Sequence, residues 1–360
     1  MKRIGILTGG GDAPGLNAVI RAAVKTAINE YECEVFGIKN GYDGFLEEDG
    51  IVPLDMQAVR GILPRGGTIL GSANRGNPYA RKVIRDGQEV TVDVSDEIVK
   101  GIKKLKLDAL LVLGGDGTLH IAHELWQKGA PVIGVPKTID NDIGGTEVTF
   151  GFDTALNIAT EALDRLHTTA ESHHRAMVLE LMGRDAGFIA LHAGVSGGAD
   201  VILIPEIPFK FESVMAKIRT RAEKGSKFSI LAVSEGAKPV GGTQTFSRKG
   251  DEIYTPRLGG IGQAVGEYIA GRGFESRVTV LGHLQRGGTP TAFDRWLATR
   301  YGASAVRLAA RGEFDRMVAL RCGDIIDLSL EEATAVPKRV DINGSEVATA
   351  RNIGISFGDE

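Results

Sequence analysis

Two segments of the chain carry residue types suited to phosphoryl transfer. Each follows an apolar, strand-like run: Leu113–Thr118 reads Leu-Gly-Gly-Asp-Gly-Thr, and Val135–Asp142 reads Val-Pro-Lys-Thr-Ile-Asp-Asn-Asp. Because ligands bind at the carboxyl ends of strands in an open parallel sheet, we expect Asp116, Asp140 and Asp142 to lie around one crevice. Carboxylates repel a phosphate unless Mg²⁺ lies between them, whereas glycine backbone can approach a phosphate closely. The pattern therefore predicts magnesium-dependent phosphoryl transfer.

The second segment predicts a base beside a metal ligand. Thr138, Asp140 and Asp142 occupy alternate positions, so an extended backbone would direct their side chains the same way. This spacing suits a carboxylate that accepts a sugar-hydroxyl proton and a second carboxylate at the metal. The alternative is a pair of solvent-exposed loop carboxylates, and the position directly after a buried strand argues against it.

Glycine-rich turns predict sites for the donor phosphates. Thr8–Gly15 follows the first strand, and Gly11 could donate its amide to a phosphate at a helix start, although a plain strand–helix turn explains this segment equally well. In Leu113–Thr118, Asp116 could hold Mg²⁺ while amides near Gly117 and Thr118 bind phosphates. An N-cap role for Asp116 would leave the flanking glycines unexplained. The sequence contains neither the P-loop motif nor the dinucleotide-binding glycine pattern.

Basic residues at strand ends predict a second anion site. Arg184 ends an apolar run, where it is either a surface residue or a clamp on a transferring phosphoryl group. His283 and Arg286, in a Gly-His-Leu-Gln-Arg-Gly-Gly segment, suggest a phosphate site after another strand. The basic residues at strand ends in this net-acidic chain are Arg175, Arg184, Arg277, His283 and Arg286. Together they indicate a phosphate group on the acceptor.

Composition limits the class of protein. At 360 residues we expect about two domains, and the net charge of −4 gives no case for a nucleic-acid or anionic-membrane partner. Cys33 and Cys322 lack metal-ligand spacing and are expected to be structural thiols in a reducing compartment. We find no signal-peptide pattern and no apolar run long enough to span a membrane, so a cytoplasmic location is expected.

Alternating apolar and helical patterns predict an α/β protein with parallel sheets covered by helices. The predicted strands include Ile4–Leu7, Ala109–Leu113, Val132–Val135 and Ala176–Leu181, and the predicted helices include Leu16–Ala27, Phe152–Thr169 and Phe293–Leu308. The pattern changes near Gly151, where we place a domain boundary. The helix Phe293–Leu308 could return to the first domain.

Six ordered motifs resemble those of the 6-phosphofructokinases over nearly the whole chain. They are Gly-Gly-Gly-Asp-Ala-Pro-Gly-Leu-Asn, Arg-Gly-Gly-Thr-Ile-Leu-Gly-Ser, Gly-Gly-Asp-Gly-Thr, Pro-Lys-Thr-Ile-Asp-Asn-Asp, Met-Gly-Arg and Gly-His-Leu-Gln-Arg-Gly-Gly. Leu166–Ser172 and Ala292–Arg300 are most similar to the actinobacterial-type group, which contains ATP and pyrophosphate users. The resemblance implies the phosphofructokinase fold: α/β, with two similar three-layer domains and mainly parallel sheets. It implies a larger ATP- and Mg-binding domain (1–150 plus about 285–312) and a smaller fructose 6-phosphate-binding domain (151–284 plus about 313–360).

The resemblance also implies a role for each site residue. ATP would phosphorylate the C1 hydroxyl of fructose 6-phosphate, with Asp140 as the base and Thr138 placing the phosphoryl group. Arg184 would stabilise that group in flight, and Asp116 would bind Mg²⁺ with Asp142 close to it. Residues implied to bind the sugar phosphate are Thr138, Ile139, Asp140, Met182, Gly183, Arg184, Glu235, His283 and Arg286, with Arg175 and Arg277 from a neighbouring subunit of a homodimer or homotetramer. Residues implied to line the ATP site are Gly11, Tyr42, Arg75, Asp116, Gly117 and Thr118.

Two positions bear on the donor and indicate different donors. Gly117 is typical of ATP users of the family, since pyrophosphate users carry Asp there, whereas Lys137 is typical of pyrophosphate users. A carboxylate at position 117 would oppose the nucleotide α-phosphate by bulk and by charge, and Lys137 can accommodate either donor. Gly117 therefore decides, and we predict ATP. Arg75 is displaced by one residue from the family pattern, because the chain reads Gly-Ser-Ala-Asn-Arg at this point.

Three other functions compete with ATP-dependent phosphofructokinase. One is a pyrophosphate-dependent fructose 6-phosphate 1-phosphotransferase, and another is a kinase of a different sugar phosphate such as sedoheptulose 7-phosphate, which nothing in the sequence excludes. A non-catalytic regulatory subunit is the third. Such a subunit would be expected to lose the base, the metal ligand or the clamp, whereas this chain retains Asp140, Asp116 and Arg184.

Overall fold

The computed structural model describes residues 1–73, 76–85, 88–248 and 257–360. Its strands are β1 (Arg3–Thr8), β2 (Glu34–Ile38), β3 (Ile51–Pro53), β4 (Arg81–Arg85), β5 (Gln88–Val92), β6 (Ala109–Gly114), β7 (Val132–Pro136), β8 (Ala176–Leu181), β9 (Val201–Leu203), β10 (Ser229–Ser234), β11 (Phe246–Arg248), β12 (Arg257–Leu258), β13 (Ser276–Val280), β14 (Arg316–Arg321) and β15 (Asp324–Ser329). Its α-helices are α1 (Leu16–Tyr31), α2 (Ser95–Lys104), α3 (Asp116–Gln127), α4 (Phe152–His173), α5 (Phe188–Ser196), α6 (Phe211–Glu223), α7 (Ile261–Ala270), α8 (Ala292–Arg311), α9 (Leu330–Ala335) and α10 (Ser345–Asn352).

The first of two compact units comprises Met1–Thr154 and Arg286–Pro337. Its main sheet has the strand order β15-β14-β7-β6-β1-β2-β3, parallel except at the two edge strands. Strand β6 shows why three layers form, since all its residues are buried and alternate between faces. Leu111 and Leu113 join the core under α1 and α8, whereas Leu110 and Val112 join the core under α2, α3 and α9.

Residues 313–337 lie in this first unit, whereas the family resemblance implies that they belong to the smaller domain. The reason is strand pairing: β14 lies parallel to β7, with Arg316 opposite Ile133 and Met317 opposite Gly134. Strand β15 then pairs antiparallel with β14 and forms the sheet edge. The local pattern of residues 313–337 does not specify this pairing, because β7 lies about 180 residues earlier in the chain.

The second unit comprises Ala155–Gln285 and Lys338–Glu360. Its parallel sheet has the order β13-β8-β10-β9. Helices α6 and α7 pack on one face, against Val178 and Leu231 among others. On the other face, α5 packs so closely that a Cβ at Gly194 would lie 2.6 Å from the Ile202 side chain. The prediction of α/β units with mainly parallel, helix-covered sheets is confirmed.

Within the described ranges, no helix combines the length and apolarity that crossing a membrane requires. Both cysteines are free thiols, with Cys33 buried and Cys322 exposed. Cys322 lies in the turn between β14 and β15, where its backbone N–H donates to Oε1 of Glu147 over 2.8 Å.

Candidate active site

The carboxylates of the second sequence motif lie in a buried loop directly after β7. Thr138 and Asp140 are 7% and 3% exposed, which excludes the alternative of a solvent-exposed loop at these positions. The backbone N–H of Asp140 donates to Oγ1 of Thr138 over 3.0 Å. The loop therefore has a defined shape before any ligand binds.

The glycine turn after β6 lies against this loop. The backbone N–H of Lys137 donates to the carbonyl oxygen of Gly114 over 2.9 Å, which joins the two segments. Helix α3 begins at Asp116, and the N–H of Thr118 already donates to the carbonyl of Gly115 over 3.0 Å. That bond favours the amide of Gly117, at the open helix end, as the donor to a phosphate.

The side chain of Thr118 requires glycine on the neighbouring turn. A Cβ at Gly9 would lie 2.5 Å from Cγ2 of Thr118 and 2.9 Å from its Oγ1. The turn after β1 and the start of α3 can therefore approach this closely only without a side chain at position 9. Glycine at position 9 thus allows the first glycine turn to lie beside the second.

Position 117 faces open space. Gly117 is exposed, and a Cβ built on it would meet no heavy atom of the described residues within 4 Å.

Tyr42 supports the same turn. It is buried, and its hydroxyl donates to the carbonyl oxygen of Thr118 over 3.0 Å. Burial raises the pKa of Tyr42, so the hydroxyl stays protonated and supports the turn. Arg75, which the resemblance places in the ATP site, lies outside the described residues.

Two cations meet the first glycine turn. The ammonium Nζ of Lys137 donates to the carbonyl oxygen of Gly11, and Nη1 of Arg286 donates to that of Asp12 over 3.0 Å. A Cβ at Gly11 would lie 2.8 Å from Nη1 of Arg286, so a side chain at position 11 would displace the guanidinium. Burial, and then the Arg286 charge, lower the pKa of Lys137 to about 8. Nearby carboxylates oppose that shift: those of Asp140, Asp12 and Asp142.

The chemistry of Asp142 and Asp116 fits Mg²⁺. Oδ1 of Asp142 is buried and has no hydrogen-bond partner among the described residues, which is the condition of a carboxylate oxygen suited to a hard cation. Asp116 lies in the first turn of α3. The described ranges contain no cluster of three or more acidic, His or Cys residues able to hold a metal by themselves. Magnesium in kinases commonly takes only one or two carboxylates and completes its shell with phosphates and water.

In the second unit, the Met182–Arg184 turn lies beside Glu235. The turn follows β8 directly, and Glu235 follows the neighbouring β10. The backbone N–H of Arg184 donates to Oε1 of Glu235 over 3.4 Å. Gly183 and Arg184 both have positive φ, 145° and 49°, and the exposed Arg184 side chain extends from this turn while Met182 is buried. The structure therefore brings four of the sequence-predicted residues together at one sheet edge.

Arg175 and Arg277 lie at the opposite edge of the same sheet. Both pair with Glu275, at 2.8 Å and 2.7 Å, and both stand where β8 and β13 begin. A strand of this length separates Arg175 from Met182 by about 20 Å. Within a single chain, Arg175 and Arg277 therefore lie apart from the Met182–Arg184 turn, and a site that joins them to Arg184 stays a prediction for an assembly of chains. The exposed His283 follows β13, and Arg286 belongs to the first unit.

Sequence reasoning did not select Asn141 and Thr149. Asn141 adopts a left-handed backbone conformation, with φ of 55°, between the two carboxylates of the loop. Its side chain accepts a hydrogen bond from the N–H of Thr149 over 3.1 Å. An Asn between two Asp residues was the available signal, because Asn tolerates this conformation better than most residues. Thr149 gave no local signal.

Glycine-lined turns and buried carboxylates at strand ends, in two three-layer α/β units, are the arrangement of a phosphotransferase. Residues 3–309 match the sequence model of the phosphofructokinase family, and the chain belongs to that family. It is 54% identical to the ATP-dependent 6-phosphofructokinase of Chloroflexus aurantiacus, over 100% of this chain and 98% of the relative. It is 50% identical to the pyrophosphate–fructose 6-phosphate 1-phosphotransferase of Streptomyces coelicolor, over 99% of this chain and 100% of that relative.

A solved structure gives the same picture of the fold. The chain superposes on phosphofructokinase from Saccharomyces cerevisiae with a TM-score of 0.78 and 31% sequence identity. The match covers 99% of this chain and 48% of the yeast chain, so this chain spans about half the length of that one. The sequence-based recognition of the family and of its fold is confirmed.

Proposed function

We propose that the chain transfers the γ-phosphoryl group of ATP to the C1 hydroxyl of D-fructose 6-phosphate, giving fructose 1,6-bisphosphate and ADP. The observation that carries this proposal is the buried Asp140 in a loop joined to the glycine turn after β6 by the Lys137–Gly114 backbone bond. That bond sets a candidate base beside a turn suited to donor phosphates. Membership of the phosphofructokinase family supports fructose 6-phosphate as the acceptor.

The residues of the loop divide the chemistry between them. Asp140 accepts the proton of the C1 hydroxyl while the oxygen attacks the γ-phosphorus and the bond to the ADP oxygen breaks. Oγ1 of Thr138 accepts a hydrogen bond from the N–H of Asp140, so its own proton can be donated to an oxygen of the transferring group. Arg184 compensates the negative charge on that group.

The donor is held by backbone and charge together. The amide at Gly117 binds phosphate oxygens at the start of α3, where the helix dipole favours an anion. Asp116 and Asp142 would hold Mg²⁺, which would neutralise charge on the donor phosphates and keep them aligned. The remaining donor contacts are proposed for Gly11, Tyr42 and Thr118, with Tyr42 acting through the carbonyl of Thr118.

ATP is the proposed donor because the space at Gly117 is open. Pyrophosphate is the second candidate, and the observation that favours it is the buried cation of Lys137 on the first glycine turn. Steady-state coupled assays of the purified protein with fructose 6-phosphate and either Mg-ATP or Mg-pyrophosphate distinguish the two. Turnover with pyrophosphate alone would overturn the choice of donor. No turnover with either donor by folded protein would overturn the enzymatic function and favour a sugar-phosphate-binding subunit.

The acceptor is proposed to contact residues of two chains. Met182, Gly183 and Glu235 would bind the sugar with Ile139, and His283 and Arg286 its 6-phosphate. Arg175 and Arg277 would come from a neighbouring subunit of a homodimer or homotetramer. Their position at the opposite edge of their own sheet supports this assignment.

Subunit mixing tests the shared site. Arg277→Ala and Asp140→Asn chains should each be nearly inactive alone, since each lacks one half of the site. After co-expression, a mixed oligomer contains a site with both wild-type residues, so activity should reappear. Mixed oligomers that stay inactive would show that each chain builds its site alone.

A further inference from the structure

The segment of residues 146–151 is hydrogen-bonded to the Thr138–Asp142 loop. Thr149 is fully buried, and its Oγ1 donates to the carbonyl oxygen of Thr138 over 2.8 Å. Its backbone N–H donates to Oδ1 of Asn141 over 3.1 Å. One residue therefore bonds the loop at two points, on either side of Asp140.

The second of these bonds acts on the backbone turn between the two carboxylates. Asn141 has a φ of 55°, in the left-handed region that side-chain-bearing residues rarely occupy. Because Asn141 separates Asp140 from Asp142, its backbone conformation sets the directions in which both carboxylates point. The bond from Thr149 to the Asn141 side chain holds that conformation in place.

Helix α8 fixes residues 146–151 on both sides of Thr149. The hydroxyl of Tyr301 donates to the carbonyl oxygen of Val148 over 2.7 Å. Oδ1 of Asp294 accepts from the N–H of Gly151 over 2.9 Å. Both side chains on α8 are fully buried. Thr149 is thus held by the core, and it offers the loop two hydrogen-bond donors at fixed positions.

We infer that Thr149 is a positioning residue for phosphoryl transfer: it touches no substrate, and it sets the geometry of Asp140 and Asp142 through Thr138 and Asn141. This inference rests on the proposed function. Proton transfer and in-line attack need the reacting groups aligned closely, and a small displacement of a base reduces the rate without a matching loss of substrate binding.

The test compares Thr149→Val, which keeps the side-chain shape without the hydroxyl, with Thr149→Ser, which keeps the hydroxyl. We expect Thr149→Val to lower kcat about 10- to 100-fold with the KM for fructose 6-phosphate and ATP changed by less than about twofold. Thr149→Ser should restore most of the kcat. All rates are normalised to the folded fraction measured by circular dichroism.

Thr334→Val is the matched control. Thr334 is a half-buried threonine of α9, and its hydroxyl donates to the carbonyl oxygen of Leu330 over 2.8 Å, apart from residues 146–151 and from α8. We expect this variant to leave kcat within about twofold of the wild type, whatever its effect on the Tm. If both valine variants lost kcat equally, the effect would be general destabilisation and the inference would be overturned.

Asn141→Gly keeps the test decisive if Thr149→Val does not fold. Glycine adopts the left-handed conformation readily but removes the acceptor of the Thr149 N–H. Lower kcat with unchanged KM would support the inference, and wild-type kcat would overturn it. The activity of the wild-type protein is measured before any variant is made. An inactive wild-type protein would overturn the proposed function itself and not only this inference.

Discussion

The guanidinium of Arg286 donates a hydrogen bond to the carbonyl oxygen of Asp12 over 3.0 Å, although 274 residues separate the two along the chain. The bond joins the first glycine turn to the start of the second chain segment of the first unit, Arg286–Pro337. Arg286 also stands so close to Gly11 that position 11 cannot carry a side chain without displacing it. A residue that the sequence assigns to the acceptor phosphate therefore also supports the turn assigned to the donor.

Arg286→Ala should raise the KM for fructose 6-phosphate most, by about 10-fold or more, since a hydrogen bond to a charged group contributes about 1.5–3 kcal/mol. The KM for ATP should rise as well, because the glycine turn loses its bond to Arg286. Steady-state kinetics with each substrate varied separately measure both effects. Arg300→Ala is the control, because Arg300 also donates to a carbonyl oxygen, that of Gly323 over 2.7 Å, at an exposed site. An unchanged KM for fructose 6-phosphate would contradict the acceptor assignment.

Asp140→Asn should lower kcat by about 10²–10⁴-fold, because asparagine keeps the shape but cannot accept the proton. The KM for fructose 6-phosphate should change little, since the proposed phosphate contacts lie on other residues. The informative measurement is the split between kcat and KM. A loss confined to KM would mean that Asp140 binds the sugar without accepting its proton. If Asp140→Asn and Arg286→Ala gave the same kinetic profile, the division into chemical and binding residues would be wrong.

Gly117→Asp should raise the KM for ATP strongly, by about 10-fold or more, because it sets a negative charge beside the donor phosphates. Gly117→Ala provides the control for size. Since an added Cβ meets nothing in the described residues within 4 Å, the alanine variant should fold and bind ATP nearly as the wild type does. Equal losses in the two variants would show that bulk, and not charge, limits the site. The KM for ATP and the Tm of each variant are the measurements.

Lys137→Met should change the pH dependence of stability. The pKa of Lys137 is about 8 in the folded protein against 10.5 for an ordinary lysine, so the unfolded chain binds more protons between pH 8 and 10.5. Burial of the protonated lysine lowers the free energy of unfolding, and this cost is fully present below pH 8. The cost is lost as the pH rises from 8 to 10.5, so stability rises in that window. The stability of the variant relative to the wild type should be greatest at pH 7 and fall by up to about 3 kcal/mol by pH 10.5.

Urea unfolding of both proteins at intervals from pH 7 to pH 10.5 measures this difference. Lys103→Met, at an exposed position near the end of α2, is the control and should show no comparable pH dependence. A Lys137→Met difference that stayed constant across the range would show that the buried ammonium carries no such cost.

Much of the site was readable from the sequence because its chemistry is local. Short-range patterns predicted the Gly117 turn and the Asp140 loop: apolar runs, glycines after them and carboxylates at alternate positions. The structure places the turn directly after β6 and the loop directly after β7. The signal that separates Arg175 and Arg277 from the Met182–Arg184 turn was also present. Arg175 precedes β8 and Arg277 lies at the start of β13, whereas the turn follows β8, and parallel strands set those two ends on opposite edges.

The sequence by itself determined the α/β class, the family and the residues at the strand ends, because periodicity and turn chemistry act over a few residues. Only the tertiary structure decided that β14 pairs with β7, that Arg286 meets Gly11 and Asp12, and that Thr149 holds the loop of Asp140. Each of these contacts joins segments whose local patterns would suit other partners equally well. They are selected by the packing of whole apolar faces and by the need of buried polar groups for hydrogen-bond partners, and both of these depend on the complete fold.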